Sequence, residues 1–336
     1  MEEPTDQTVH RGYEFEEGMF SRVRSWCDVA PWIRLGRVVR VLSSLPYVLA
    51  FFLFWALMRL VVWASQSAFG LFLGLGSPMS YSENALASTA LLPTWSGLIV
   101  LFLAGIPVFL FVARAGVVIT AGHPPPPVGL TLRLIRQRLL RSYVLPLVPV
   151  SCLLVFGTLA YLVRLPAMIS TSSQWDWFIG GLLGLACLPF GLLGFGALVA
   201  IPLGLVAMIA EPDPDPIDSL SRGYEYLYRR PLHLVFYAVV SCVLVAVMAA
   251  LLTGICGVAR EAALRMSGNP FESLGADWMI GVFLEAWLGT LLVGLTGGAY
   301  LLLRYNASDQ EVEDIYFPAS PLRESLPELP KEAYES

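Results

Sequence analysis

Arg59 lies near the middle of one long apolar run, Arg114 in the inner half of the next, and Glu285 in the outer third of the last. A guanidinium stays protonated at physiological pH, so each arginine needs a carboxylate, carbonyls, water or lipid phosphate. A charge costs at least ~2.5 kcal/mol at the centre of a bilayer and less near an interface. These three residues could form ion pairs, or an ion, headgroup or substrate site between helices. Glu285 is the only acid well inside a run, which makes it the expected partner of Arg59. Arg114 could instead snorkel to the interface.

Other chemistry finds little support. The three histidines, His10, His123 and His233, sit in a tail, before a four-proline run and at the entrance of an apolar run. No His-Glu-x-x-His or Cys-x-x-Cys is present, so no metal site is expected. Lys331 is the single lysine, which rules out a serine-lysine dyad within the membrane. The signatures of intramembrane aspartyl and rhomboid proteases and of phosphoalcohol transferases are also missing. Cys152, Cys187, Cys242 and Cys256 read as small packing residues in apolar runs, and Cys27 stands alone in the N-terminal tail. Asp213-Pro214-Asp215 reads as a turn and helix entry rather than a cation site. No catalytic residue and no cofactor is expected.

These residues must be held by membrane helices. Hydrophobic residues make up 56% of the 336, and charged residues only 14%, which fits a polytopic membrane protein. Six apolar runs predict spans at about 46–74, 95–121, 142–163, 177–210, 232–257 and 278–303. In hydrocarbon such runs must be helical, because only then are all backbone groups bonded within the segment. The fourth run exceeds the hydrocarbon thickness and contains Pro189 and Pro202, so a kinked or strongly tilted helix is expected. Pairs of small residues four apart, Gly180/Gly184, Gly196/Ala200/Gly204 and Gly294/Gly298, predict close helix packing within the molecule.

Arginine placement orients the bundle. Sixteen Lys/Arg residues fall on the side of the N-terminus and only Arg164, Arg260 and Arg265 opposite, which predicts that both termini are cytoplasmic. Trp95, Trp175, Trp177 and Trp278 then fall near the outer ends of spans, where amphipathic rings belong. The predicted organisation is a cytoplasmic N-terminal tail with an interfacial helix over 1–44, a six-span domain over 45–304, and an acidic, disordered cytoplasmic tail over 305–336. No cleavable signal peptide is expected before the first run.

Each odd-numbered span follows a short segment rich in arginine and apolar residues: Pro31–Leu42, Gly129–Arg141 and Ile217–Arg230. The second and third of these spans also carry Ser151-Cys152 and Ser241-Cys242. This reads as a threefold repeat of cytoplasmic helix, span, span. The third segment has the strongest helical signals. Ile217, Leu220, Tyr224, Leu227 and Tyr228 make an apolar stripe, with Arg222, Glu225 and Arg229 opposite. Asp215 suits the N-cap and Pro216 the first turn, and Asp218/Arg222 and Glu225/Arg229 are spaced as i,i+4 pairs. Such a helix is expected to lie at the headgroup boundary, with Arg230 closing it.

Glu211 at the end of the fourth run, Leu220-Ser221-Arg222-Gly223-Tyr224, and Arg229-Arg230-Pro231 together form a pattern of about 25 residues. It resembles the membrane domain that accompanies some bacterial glycerophosphodiester phosphodiesterases, and related bacterial polytopic proteins. There, an acidic residue and a Leu-Arg-Arg-Ser-Trp-type helix link two spans. Here Gly223 stands where that pattern has serine, and the phosphodiesterase domain itself is missing. The resemblance implies an architecture rather than an activity.

The expected protein is a multi-pass component of the cytoplasmic (inner) membrane and not an enzyme. It would serve as a membrane scaffold or accessory subunit, in contact with the lipid bilayer and other membrane proteins but not with nucleic acid. The alternative is a transporter or channel for a small solute or lipid that uses Arg59 and Glu285. The spans hold few further polar residues, whereas a solute path usually needs several.

Overall fold

The computed structural model describes residues 30–72, 95–169, 173–266, 270–308, 312 and 315–317. The remainder of both tails, including Cys27, lies outside the described residues, as do the side chains of Trp95 and Trp175. Everything regular among the described residues is helical. In chain order the helices are α1 (Arg34–Arg37, between 3-10 turns Pro31–Ile33 and Val38–Ser43), α2 (Leu45–Phe72), α3 (Trp95–Thr120), α4 (Val128–Ile169), α5 (Ser173–Ala210), α6 (Pro216–Arg229), α7 (Pro231–Met266) and α8 (Pro270–Ser308). Five of them are long and apolar enough to cross a membrane. A sixth span results if segment 31–43 and α2, bent by 75° at their junction, are counted together.

The first segment follows from a three-residue period. Leu35, Val38 and Val41 are fully buried, and Arg34, Arg37 and Arg40 share the same spacing. With three residues per turn, 3-10 geometry stacks each set into one row, so the mostly 3-10 conformation suits the sequence. The apolar row packs against Gly294 and Gly298 of α8. Trp32 meets Phe236 of α7 edge-on at 6.4 Å.

The second arginine-rich segment departs from expectation. It does not form a separate interfacial helix: Gly129–Arg141 is the first part of α4, which runs unbroken for 42 residues. Nothing between Val128 and Tyr143 breaks a helix, and Leu134 and Ile135 bury their side chains. The three repeat units therefore differ in geometry, with a bend in the first, continuity in the second and a break at Arg230 in the third. α5 likewise runs as one helix through Pro189 and Pro202.

α3 and α8 form the centre of the bundle and run in the same direction. Gly116 meets the backbone of Gly294, and a Cβ on Gly297 would stand 2.5 Å from Ala113 O. α3 ends in a Schellman turn: Gly122 takes φ +95°, His123 N–H donates to Val118 O and Gly122 N–H to Ile119 O. α4 and α5 form a long antiparallel hairpin, with Leu145 against Gly204 and Leu153 against Gly194. Packing is densest at the ends carrying Val117, Val206 and Leu302, whereas Leu159, Leu185, Val247 and Ile255 are exposed on α4, α5 and α7. Exposed apolar side chains on such helices suit hydrocarbon, which costs them nothing.

α6 packs along α5 instead of resting only on a lipid boundary. A Cβ on Gly223 would lie 2.6 Å from Ala200 O, Ser219 O is close to Gly204, and Tyr224 covers Gly196. The small-residue face of α5 is thus filled by this chain, whereas Gly180 and Gly184 have no neighbour within 4 Å. The buried face of α6 is Ser219, Leu220, Gly223 and Tyr226. It is rotated from the predicted stripe, and Ile217 and Tyr228 are exposed. Backbone approach at Gly223 decides this rotation, since small residues let the helices come closer than the large apolar ones would.

Candidate functional site

The end of α5 organises one polar cluster. A helix leaves its last carbonyls without internal donors and carries partial negative charge there. Five successive carbonyls, Met208 to Pro212, are capped from elsewhere in the chain. Arg138 Nη1 donates to Met208 O (2.8 Å) and Glu211 O (2.6 Å), and its Nη2 to Pro212 O (2.7 Å). Arg114 Nη1 donates to Ile209 O at 2.8 Å. Tyr316 N–H donates to Ala210 O at 3.1 Å. Arg114 and Arg138 are 2% and 7% exposed, and backbone carbonyl oxygens receive these bonds.

The C-terminal segment is part of this cluster. Arg114 Nη2 donates to Tyr316 O, and its guanidinium lies 5.4 Å from the centre of the Phe317 ring. Arg138 lies 4.9 Å from the Tyr316 ring, and His123 meets Phe317 edge-on at 5.3 Å. Val312 and Ile315 are buried. Among the described residues of the predicted tail, α8 continues to Ser308 and Ile315–Phe317 docks, and the rest of 305–336 lies outside the described residues. The two aromatic rings give the arginines faces that charged tail residues could not.

Glu211 links this cluster to α6 and α8. It accepts from Arg222 and, at 2.6 Å, from the Tyr300 hydroxyl. Arg222 also holds Asp218 at 2.8 Å, and Tyr226 packs edge-on against Tyr300 with ring centres 6.0 Å apart. Burial pulls the Arg222 guanidinium down, but Glu211 and then Asp218 outweigh it and hold the group above its ordinary range. Burial pushes the Tyr226 phenol up to about 12, with the Glu211 charge adding to the effect. Near neutral pH neither group exchanges protons, so these two serve as fixed ties.

The sequence-selected α6 residues all make contacts. Asp215 caps the helix by accepting from Asp218 N–H at 3.2 Å, Arg229 pairs with Glu225, and Arg230 donates to Asn306 O. Tyr224 and Tyr228 donate to the Leu193 and Leu192 carbonyls of α5.

The intramembrane charges separate into two places. Arg59 on α2 and Glu285 on α8 are brought together as an ion pair, and Trp55 Nε1 donates to the second carboxylate oxygen. The Arg59 and Glu285 side chains are 21% and 34% exposed. Arg114 is far along α3 in the cluster at the end of α5 and takes no part in this pair. Sequence reasoning missed Trp55, Arg138 and Tyr300, and it ranked a docking peptide at Tyr316-Phe317 below a solvating tail. Trp55 had a signal, one turn before Arg59, whereas Arg138 looked like one more cytoplasmic arginine. Among the described residues no three His, Cys, Asp or Glu side chains form a group that could hold a metal.

Comparison of the chain with protein-family models, curated proteins and solved structures returns no match to any of them.

Proposed function

We propose that this multi-pass helical protein is a non-enzymatic scaffold or accessory subunit of the cytoplasmic membrane, with both termini in the cytoplasm. The observation that carries this reading is how the inner polar groups are used. Arg114, Arg138, Glu211, Arg222 and Tyr300 direct their bonds to helix ends and to one another, which supports a structural base over a solute path. Such a base with apolar helices extending from it suits a protein that works through lateral contacts in the bilayer. The arginine bias supports the orientation.

Partial exposure of Arg59 and Glu285 favours one second reading, a transporter or channel that uses the pair. Photo-crosslinking residues at Leu60, Leu159, Val247 and Leu292, one each on α2, α4, α7 and α8 and all exposed, separate the two readings in native membranes. A scaffold or accessory subunit gives a discrete protein adduct from at least one position, and purified protein in vesicles shows no ion or solute flux. Flux that depends on Arg59 and Glu285, with cross-links to lipid alone, would replace the first reading with the second.

A further inference from the structure

The α2–α8 seam around Arg59 has more hydrogen-bonding capacity than the chain uses. A guanidinium carries five N–H donors. Among the described residues Arg59 gives one bond, through Nη2 to Glu285 Oε1, while Trp55 occupies Oε2. The seam is only partly covered: the Arg59 and Glu285 side chains are 21% and 34% exposed. Its surroundings are apolar. Leu60, next to Arg59, is 56% exposed, and Leu292, two turns from Glu285 on the same face of α8, is 52% exposed. Below the pair the seam is tight, since Phe51 fills the space at Gly289.

Acyl chains offer no acceptor, and an unsatisfied donor in hydrocarbon costs several kcal/mol. A transmembrane helix of another protein can supply what lipid tails cannot. An acidic or amide side chain at this depth would take the remaining Arg59 donors, while its apolar neighbours cover Leu60 and Leu292. Interhelical polar contacts of this kind are a regular means of association within membranes. We infer that the α2–α8 seam is the docking face for a partner's transmembrane helix carrying Asp, Glu, Asn or Gln opposite Arg59. This inference rests on the accessory-subunit reading and names its surface.

The test places photo-crosslinkers at Leu60 and Leu292 in the full-length chain, with Leu159 and Val247 as comparison positions. The expected result is one discrete adduct from Leu60 and Leu292. Its cross-linked peptide should be a transmembrane helix of a different protein, with Asp, Glu, Asn or Gln within a turn of the Leu60 attachment point and about two turns from the Leu292 one. The adduct should fall at least tenfold when Arg59→Leu and Glu285→Leu are combined, a change that removes both charges together and leaves neither unpaired. An adduct with a second copy of this chain, cross-links to lipid alone at the seam, or an adduct unaffected by the double substitution would each overturn the inference. If adducts form only at Leu159 or Val247, the seam is wrong and the accessory reading stands. If no position yields a protein adduct, both fall.

Discussion

Arg222, on α6, donates to Glu211, eleven residues earlier at the end of α5, and so closes the turn between the two helices with a charge pair. The same carboxylate accepts from Tyr300 on α8, so one acidic residue fixes three helices. Arg222→Leu should leave Glu211 buried with only the tyrosine as donor. Unfolding in detergent should then be easier by about 2 kcal/mol, below the ~3–5 kcal/mol of a fully buried pair because Arg222 reaches the surface. Adding Glu211→Gln should restore part of that loss, and a denaturant series on the three proteins measures both effects.

The Arg59–Glu285 pair should behave as a coupled unit. Arg59→Leu or Glu285→Leu alone strands the other charge in an apolar seam, and combining them removes both. Thermal unfolding in detergent should show the double variant to be more stable than the sum of the single losses predicts, with a coupling of about 1 kcal/mol or more. Strictly additive losses would mean that the two charges do not pair.

Helix α6 depends on an open backbone approach. Gly223→Ala puts a methyl group 2.6 Å from Ala200 O, closer than real contacts allow. The expected cost is about 1–3 kcal/mol, with faster protease cleavage in the 211–230 segment. Gly180→Ala, where nothing lies within 4 Å, should leave both readouts unchanged.

The docked C-terminal segment should contribute measurably to stability. Replacing Tyr316 and Phe317 by Ala removes two ring faces from Arg138 and Arg114. At about 0.5–2 kcal/mol for each such contact, the melting temperature should fall. A chain ending at Phe317 should melt like the full-length protein, and one ending at Ser308 should melt lower than either.

Orientation can be read by labelling. With a cytoplasmic C-terminus, Ser308→Cys in a chain lacking its native cysteines should react with an impermeant maleimide only after the cells are permeabilised. Reaction in intact cells would invert the topology inferred from the sixteen-to-three arginine and lysine bias.

Composition and local pattern alone settle much of this protein. Apolar runs of span length must become helices, because hydrocarbon accepts no unpaired backbone, and the run at 177–210 becomes a membrane helix with those same bounds. Asp215-Pro216 marks the start of α6 for equally local reasons, and the cost of charges inside apolar runs already singled out Arg59 and Glu285. Other features depend on contacts between distant segments. Whether an arginine-rich stretch bends, as at Ser44, or continues, as through α4, depends on what each apolar row packs against. Arg138 looks like the arginines that only face headgroups, and Arg114 stands out inside an apolar run but has no partner legible in the sequence. Only the position of the α5 end beside them makes them caps for its carbonyls, and only the return of Tyr316 and Phe317 covers them. The physical reason is range: burial and helix propensity act along a few turns of chain, whereas a capping donor 70 or 95 residues away acts only after the fold has placed it.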